Sequence, residues 1–334
     1  MHERYARQMA LSEVGLEGQS RINAARVLVV GAGGLGCAVL QYLCAAGVGH
    51  LTIVDHDRVE EANLHRQPLY RMTDLGRSKT DAARDALRAL NPQIDVEVAC
   101  ERLTPANASA FVKASDIVVD AADLFAVTYT LSDECSRTGK PLVSASVLGM
   151  SGYAGAFCGT LATESDRAQH VPSYRAVFPD IPARAGTCAT AGVLGTAVGV
   201  MGTLQAHLVL SLILSLRPSV GGRIVTFDFA TLRIGGFSFA SATEPPNTEP
   251  RFIAETEVIH GDLTVDLRSA EEAARRPFNA DLRVPVEDVA QVVAEKPRAQ
   301  RIVLCCRSGV RAWRAATQLR THGHNNVALI AIGD

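Results

Sequence analysis

The chain carries eight cysteines, yet no two of them are spaced as Cys-x-x-Cys, and its nine histidines contain no His-x-x-x-His pair. The spacings that usually mark a zinc knuckle or a zincin are therefore missing. Charge of one sign is also missing. Thirty-three Lys and Arg against thirty-five Asp and Glu leave a net charge of −2 over 334 residues, without the basic footprint of a general nucleic-acid binder. Aromatics make up only 5% of the chain, with Trp313 the single tryptophan, so there is no base-stacking platform. The N-terminus, Met1-His-Glu-Arg-Tyr-Ala-Arg7, is charged and has no apolar h-region, so no secretory signal is visible. Scattered thiols without an export signal point to a reducing cytoplasm.

Apolar residues are plentiful. They form 47% of the chain against 20% charged residues, a balance that supports packed cores, and the length suits about two domains. From Cys188 to Leu216 only Thr, Ser, Gln205 and His207 interrupt small and apolar residues. That run is long enough to span a bilayer. Its glycines and two mid-helix polar groups favour the wholly buried helix of an α/β protein, with no membrane involved.

The first strong local pattern is the β-branched run Arg26-Val-Leu-Val-Val30, then Gly31-Ala-Gly-Gly-Leu-Gly36, then an apolar segment to Ala46. Strand, glycine turn and helix in that order present a helix N-terminus to phosphate. Leu51–Asp55 closes a βαβ unit, Ser78–Leu90 has helical spacing, and Asp116–Asp120 and Pro141–Ser144 read as further strands. The alternation predicts an α/β, Rossmann-like, doubly wound, mostly parallel sheet. Ser241-Ala-Thr-Glu-Pro-Pro-Asn-Thr-Glu-Pro250 reads as a flexible Pro-rich linker. Beyond it the α/β pattern restarts with Leu263–Leu267 and Arg301–Cys305. The expected division is a domain over 1–240, a linker over 241–251 and a small α/β domain over 252–334.

Gly31, Gly33 and Gly36 fit Gly-x-Gly-x-x-Gly, and Asp55 ends the next strand. By itself this marks a dinucleotide or adenine-nucleotide site. The following residues, Asp55-His-Asp57, Asn63-Leu-His-Arg66-Gln67 and Gly76-Arg-Ser-Lys79, gather cations at the same strand end. A triphosphate attacked at its α-phosphorus needs such charge as pyrophosphate leaves, whereas a nicotinamide dinucleotide needs little of it. Asp123, beyond the strand ending at Asp120, is a candidate Mg²⁺ ligand.

The stretch from Gly31 to Gln67 closely resembles the MoeB/ThiF family, bacterial relatives of the ubiquitin-activating enzymes. Arg4-Tyr-Ala-Arg7-Gln8, Gly76–Lys79, Asp120-Ala-Ala-Asp123 and Gly186-Thr-Cys188 extend the resemblance over about residues 3–235. It implies a homodimer that uses ATP and Mg²⁺ to adenylate the C-terminal glycine of a small ubiquitin-like sulfur carrier protein ending in Gly-Gly. It further implies Gly31, Gly33, Gly34 and Gly36 under the nucleotide and Asp55 on the ribose. Asn63, Arg66 and Lys79 would surround the phosphates, Asp57 and Gln67 would also bind the nucleotide, and Arg7 would reach in from the partner subunit with Asp123 at the metal. Zinc-bearing members have one Cys-x-x-Cys near Ser173–Ala176 and another near the end of the domain. Here both lack cysteine, so no zinc is expected. Asp123-Leu124 stands where the family has Asp-Asn.

Two cysteines are candidate nucleophiles. Cys188 precedes a predicted helix and matches a family cysteine on a mobile loop; a small core residue is an equal reading. Cys306-Arg-Ser-Gly-Val-Arg311 follows a strand and opens a helix, a spacing that can aim several amides at one sulfur while Arg311 stabilises an anion. It resembles the rhodanese active loop, and Val265-Asp266-Leu-Arg268 resembles that domain's strand end, although 276–286 lacks the usual His-Ile-Pro-Gly-Ala stretch. The resemblance makes Cys306 a persulfide carrier supplied by a cysteine desulfurase or thiosulfate. Cys305 should point into the core, as should Cys37 and Cys44. The expected chemistry is carrier adenylation followed by sulfur transfer to a thiocarboxylate. Thiamine, molybdopterin, tRNA thiolation, cysteine and secondary-metabolite pathways all remain open. The rivals are a nicotinamide-dependent oxidoreductase and a non-catalytic docking protein for a ubiquitin-like tail.

Overall fold

Strands β1 (Arg26–Val30), β2 (His50–Val54), β3 (Asp95–Ala99), β4 (Ile117–Asp120) and β5 (Leu142–Leu148) pair in parallel, in the order β3-β2-β1-β4-β5. The continuous apolar runs of β1 and β4 are what a strand covered on both faces requires. The sheet continues antiparallel through β6 (Ser151–Phe157), β9 (Arg223–Asp228) and the edge strand β10 (Arg233–Ser238). A two-stranded ribbon, β7 (Thr160–Ala162) and β8 (Ala168–His170), stands apart from it. This computed structural model describes residues 3–162, 168–182, 192–246, 249–294 and 296–333.

One face of the sheet is covered by the helices Gly34–Ala46 and Gly195–Leu214. Gly202 lets the two approach backbone to backbone, since a Cβ there would stand 2.6 Å from the Leu35 carbonyl oxygen. The long helix is not buried whole. Gln205 is fully buried and donates to the carbonyls of Asp120 and Val143, at 2.6 and 3.0 Å, while Val200 and His207 are exposed. It begins at Gly195, where Leu194 is its extended N-cap. Helices Pro105–Lys113 and Phe125–Thr138 cover the opposite face.

A second, five-stranded sheet is parallel throughout, in the order β11 (Arg251–Phe252), β15 (Val327–Ala331), β14 (Ile302–Cys306), β12 (Leu263–Asp266), β13 (Leu282–Arg283). Both described parts of the segment 241–251 are anchored, where its composition predicts a loose tether. Glu244 accepts from the Ser173 amide and hydroxyl, both at 2.6 Å, and Glu249 makes a bidentate pair with Arg320 at 2.6 and 2.7 Å. Its last residue, Arg251, already belongs to β11. One apolar cluster runs from Leu28, Val118 and Leu131 of the large sheet into Val265, Leu304 and Trp313 of the small one. Proline content reports the backbone's stiffness and its missing donors; it does not report the apolar area that flanking segments bury.

The core also holds a carboxylate. Asp120 is 1% exposed, accepts from Ser144 Oγ at 2.8 Å and from the Ala122 amide at 3.3 Å, and lies beside the Thr128 hydroxyl. Burial pushes its pKa up to about 6, against the opposing pull of these hydrogen bonds. The folded state therefore holds this proton more tightly than the unfolded chain. Stability should fall as pH rises from about 4 to about 6, by on the order of 2–3 kcal/mol, and stay level above that from this group. Asp120→Asn should remove this slope from denaturant melts recorded between pH 4 and 7. An unchanged slope in the variant would place the titration elsewhere.

Candidate active site

The strand order reverses at β1, whose neighbours β2 and β4 leave in opposite directions along the sheet, so a crevice opens beyond their carboxyl ends. A cavity of about 420 Å³ occupies it. Its floor is the glycine loop. Gly31 has φ +95°, and a Cβ on Gly36 would fall 2.0 Å from the Gly31 carbonyl oxygen, so the helix starts directly against the strand end. Gly33, the N-cap, faces open space: the nearest atom to an added Cβ is Gln67 Nε2 at 3.7 Å. The first amides of helix Gly34–Ala46 are left without intrahelical partners beside that space, as an anion site requires. The loop is fastened from behind by the Tyr70 hydroxyl, which donates to the Ala32 carbonyl at 2.6 Å.

Gly31, Gly33, Gly34, Asp55, Asp57, Asn63, Arg66, Gln67, Lys79 and Asp123 all line this cavity. Gly36 lies beneath it, in the first turn of the helix. Asp55 accepts from the Ala32 and Asp57 amides, each at 2.7 Å, which aims its carboxylate across the loop. Lys79 is 5% exposed and holds Asp57 at 2.7 Å; its helix is capped by Ser78, which accepts from the Asp81 amide. Partial burial raises the Asp57 pKa, but the Lys79 hydrogen bond and charge outweigh it and keep the carboxyl below its ordinary value. Arg66 donates to Asn63 Oδ1 at 2.6 Å and meets His65 Nε2 at 2.8 Å. Gln67 is 3% exposed and its Oε1 has no partner, a buried acceptor aimed at a place where a ligand hydroxyl or an ordered water fits. Asp123 is exposed at the cavity mouth.

Arg7 is not part of this cavity; it is exposed on the short helix Ala6–Met9. Cys188 and Gly186 lie outside the described residues. The structure adds Arg102, Ser144 and, beneath them, Asp120. Arg102 follows β3 at the same carboxyl edge as Asp55, so its position in the parallel sheet was the signal available for finding it. A second cavity of about 650 Å³ adjoins the first through Phe125, Ser146, Tyr153 and Tyr174 and extends to Asp228 and Arg233.

In the small unit, Cys306 Sγ accepts from the Gly309 amide at 3.1 Å and the Ala312 amide at 3.4 Å. Arg311 departs from expectation. Its guanidinium is committed to Glu272, at 2.7 and 2.5 Å, so the hydrogen bonds that reach the sulfur come from backbone amides. That pairing holds the Glu272 carboxyl down at about 2. Asp266 forms a buried fork with Arg268, at 2.9 and 3.0 Å, which fixes the end of β12 beside the loop. Cys306 is fully buried, as are Cys305, Cys37 and Cys44. Burial pushes the Cys305 and Cys37 thiols up to about 12, as inert core cysteines require. His322-Gly-His324 is a spacing missed in the sequence; His324 is buried with both ring nitrogens unpartnered, far along the chain from the loop sulfur.

Ser173 and Ala176 stand where the family resemblance leads one to look for a first Cys-x-x-Cys. The Ser173 hydroxyl donates to Glu244 and accepts from the Ala176 amide.

Comparison with known proteins agrees with this geometry. The ThiF family matches residues 5–250. Adenylyltransferase and sulfurtransferase MOCS3 of Culex quinquefasciatus is 38% identical over 308 residues, covering 88% of this chain and 66% of that protein. Sulfur carrier protein adenylyltransferase of Thermus thermophilus is 43% identical over 229 residues, 68% of this chain and 83% of that protein. The chain spans between about half and two thirds of the length of the MOCS3 relatives it matches. Among solved structures, E. coli MccB with ATP shares the fold, with a TM-score of 0.60 and 19% identity over 74% of this chain and 73% of that one. A glycine-floored cavity at the switch point of a mostly parallel sheet, matched over residues 5–250, makes this chain a member of the ThiF family.

Proposed function

We propose that the chain is an adenylyltransferase that uses ATP to activate the C-terminal carboxylate of a small ubiquitin-like sulfur carrier protein, and that its small unit delivers sulfur to the activated carboxylate. The observation that carries the first half is the convergence of Arg66, Lys79 and Arg102 with free helix amides around one cavity. A nicotinamide dinucleotide needs less positive charge than these three side chains bring to the cavity, whereas departing pyrophosphate needs it. Names of relatives support the reading: one is an adenylyltransferase and sulfurtransferase, another a sulfur carrier protein adenylyltransferase.

In this mechanism the helix amides, Arg66, Lys79 and Arg102 hold the phosphates, and Asp55 takes the ribose hydroxyls. Asp123 would hold Mg²⁺, which supplies charge neutralisation on the phosphate oxygens. The carrier tail lies in the adjoining cavity, between Tyr153, Tyr174 and Arg233. Its carboxylate oxygen attacks the α-phosphorus, the bond to the β-phosphate oxygen breaks, and pyrophosphate leaves. The Cys306 thiolate takes the outer sulfur of thiosulfate, releasing sulfite, or that of a donor persulfide, releasing the donor thiol. The terminal sulfur of the Cys306 persulfide then attacks the acyl carbon and AMP leaves with the electron pair. A dithiol reductant cleaves the resulting acyl disulfide, releasing the thiocarboxylate and taking up the oxidised state. Cys188 is a candidate for one of these thiols. The active assembly in this reading is a cytoplasmic homodimer, in which Arg7 crosses to the partner's phosphates.

Asp123→Ala should keep its melting behaviour yet lose ATP–pyrophosphate exchange with a Gly-Gly carrier by roughly a hundredfold or more. Wild-type exchange in that variant would remove Asp123 from the metal site. The purified protein should carry no stoichiometric zinc in elemental analysis, because the Ser173–Glu244 pair takes the place of thiolates. One zinc per chain would show that other ligands exist.

A further inference from the structure

The nucleotide cavity and the Cys306 loop share a wall. Leu124, Phe125 and Val127, in the first turn of helix Phe125–Thr138, line the cavity. Ala126, on another side of that same turn, faces the loop: a Cβ on Gly309 would lie 3.3 Å from Ala126 Cβ. Gly309 is the residue whose amide donates to Cys306 Sγ. At the rim, Arg102 lines the cavity and its guanidinium abuts Gly333, whose amide donates to the carbonyl of loop residue Arg307 at 2.8 Å.

A clamp one and two turns further along the helix holds the units in this relation. The Trp313 ring, 3% exposed, packs on Tyr129 with centroids 5.1 Å apart. The Arg175 guanidinium lies 5.4 Å from the Trp313 ring and 4.7 Å from that of Tyr129. Asp133 fixes this cation through two hydrogen bonds of 2.6 and 3.0 Å. Trp313 belongs to the helix that the Cys306 loop opens, so a shift of its ring shifts the loop.

Resting on the function proposed above, we propose that Trp313 and Arg175 are positioning residues for sulfur transfer. They dock the Cys306 loop on the wall of the nucleotide cavity of the same chain, so that each chain's sulfur serves the acyl-adenylate made in its own pocket. Cys306 is fully buried, and the loop must lift its Gly309 from Ala126 to present the persulfide. The short travel keeps the sulfur at high effective concentration. The closed position shields it from solvent until the carrier tail arrives.

The test uses two inactive full-length chains, Asp123→Ala and Cys306→Ala, co-expressed with different tags and purified through both. Transfer within a chain predicts no thiocarboxylate from the mixed assembly, supplied with ATP, carrier, thiosulfate and a dithiol. Recovery near half the wild-type rate would overturn the proposal. In Trp313→Ala, pyrophosphate exchange should stay within about twofold, while thiocarboxylate formation at saturating carrier falls at least tenfold. Cys306 alkylation by iodoacetamide, read by peptide mass, should rise by a similar factor, a change that weakened carrier binding would not cause. Should that variant fail to fold, Trp313→Phe and Arg175→Lys replace it: Phe should restore most of the transfer rate, whereas Lys, without a planar face, should not. Wild-type transfer and alkylation rates in both Arg175→Lys and Trp313→Ala would sink the positioning role. A wild-type chain that exchanges no pyrophosphate would refute the underlying function instead, and that outcome is read separately.

Discussion

Helix Phe125–Thr138 is the element on which both halves of the molecule depend. It is amphipathic on more than one side. Its first turn closes the nucleotide cavity, its Thr128 stands beside the buried Asp120, and its Tyr129 and Asp133 meet Trp313 and Arg175. Eight of its fourteen residues are buried, which a helix facing a single sheet would not need. Removing water from both of its faces joins the two units through one apolar cluster.

The same economy of backbone approach operates at the glycine loop. Gly36 permits the helix to begin against the Gly31 carbonyl, and Gly202 permits the long helix to press on Leu35. The stack of sheet, helix and helix leaves the phosphate-binding amides at a fixed height above β1. Cations then come from three separate places, the Asn63–Gln67 turn, the capped helix Lys79–Leu90 and the end of β3. All three line one cavity, and Lys79 is kept in place there by Asp57.

The small unit shows how a resemblance in sequence differs from a geometry. Its loop aims amides at Cys306 as the spacing leads one to expect, but Arg311 is held by Glu272, a residue with no part in the motif. A cation in a motif is free only when no carboxylate of the fold reaches it first, and here Glu272 of the helix Ala270–Arg275 does so.

Residue order alone determined the doubly wound sheet, the glycine floor and most of the cavity lining. Each of these depends on local pattern: continuous apolar strands, glycine spacing, a cap before Lys79. Boundaries moved by a few residues, as at β5, which runs on to Leu148 because β6 pairs with it along its whole length. Arg102 carries no motif, and its only signal, a place just after β3 at the carboxyl edge, becomes visible once β3 is laid beside β2. The looseness assigned to 241–251 failed for a related reason: proline and polar content are local, whereas the anchoring of Glu244, Glu249 and Trp313 joins residues up to 184 positions apart, from Tyr129 to Trp313. Only the tertiary structure brings such residues together, since it alone decides which apolar faces exclude water against each other.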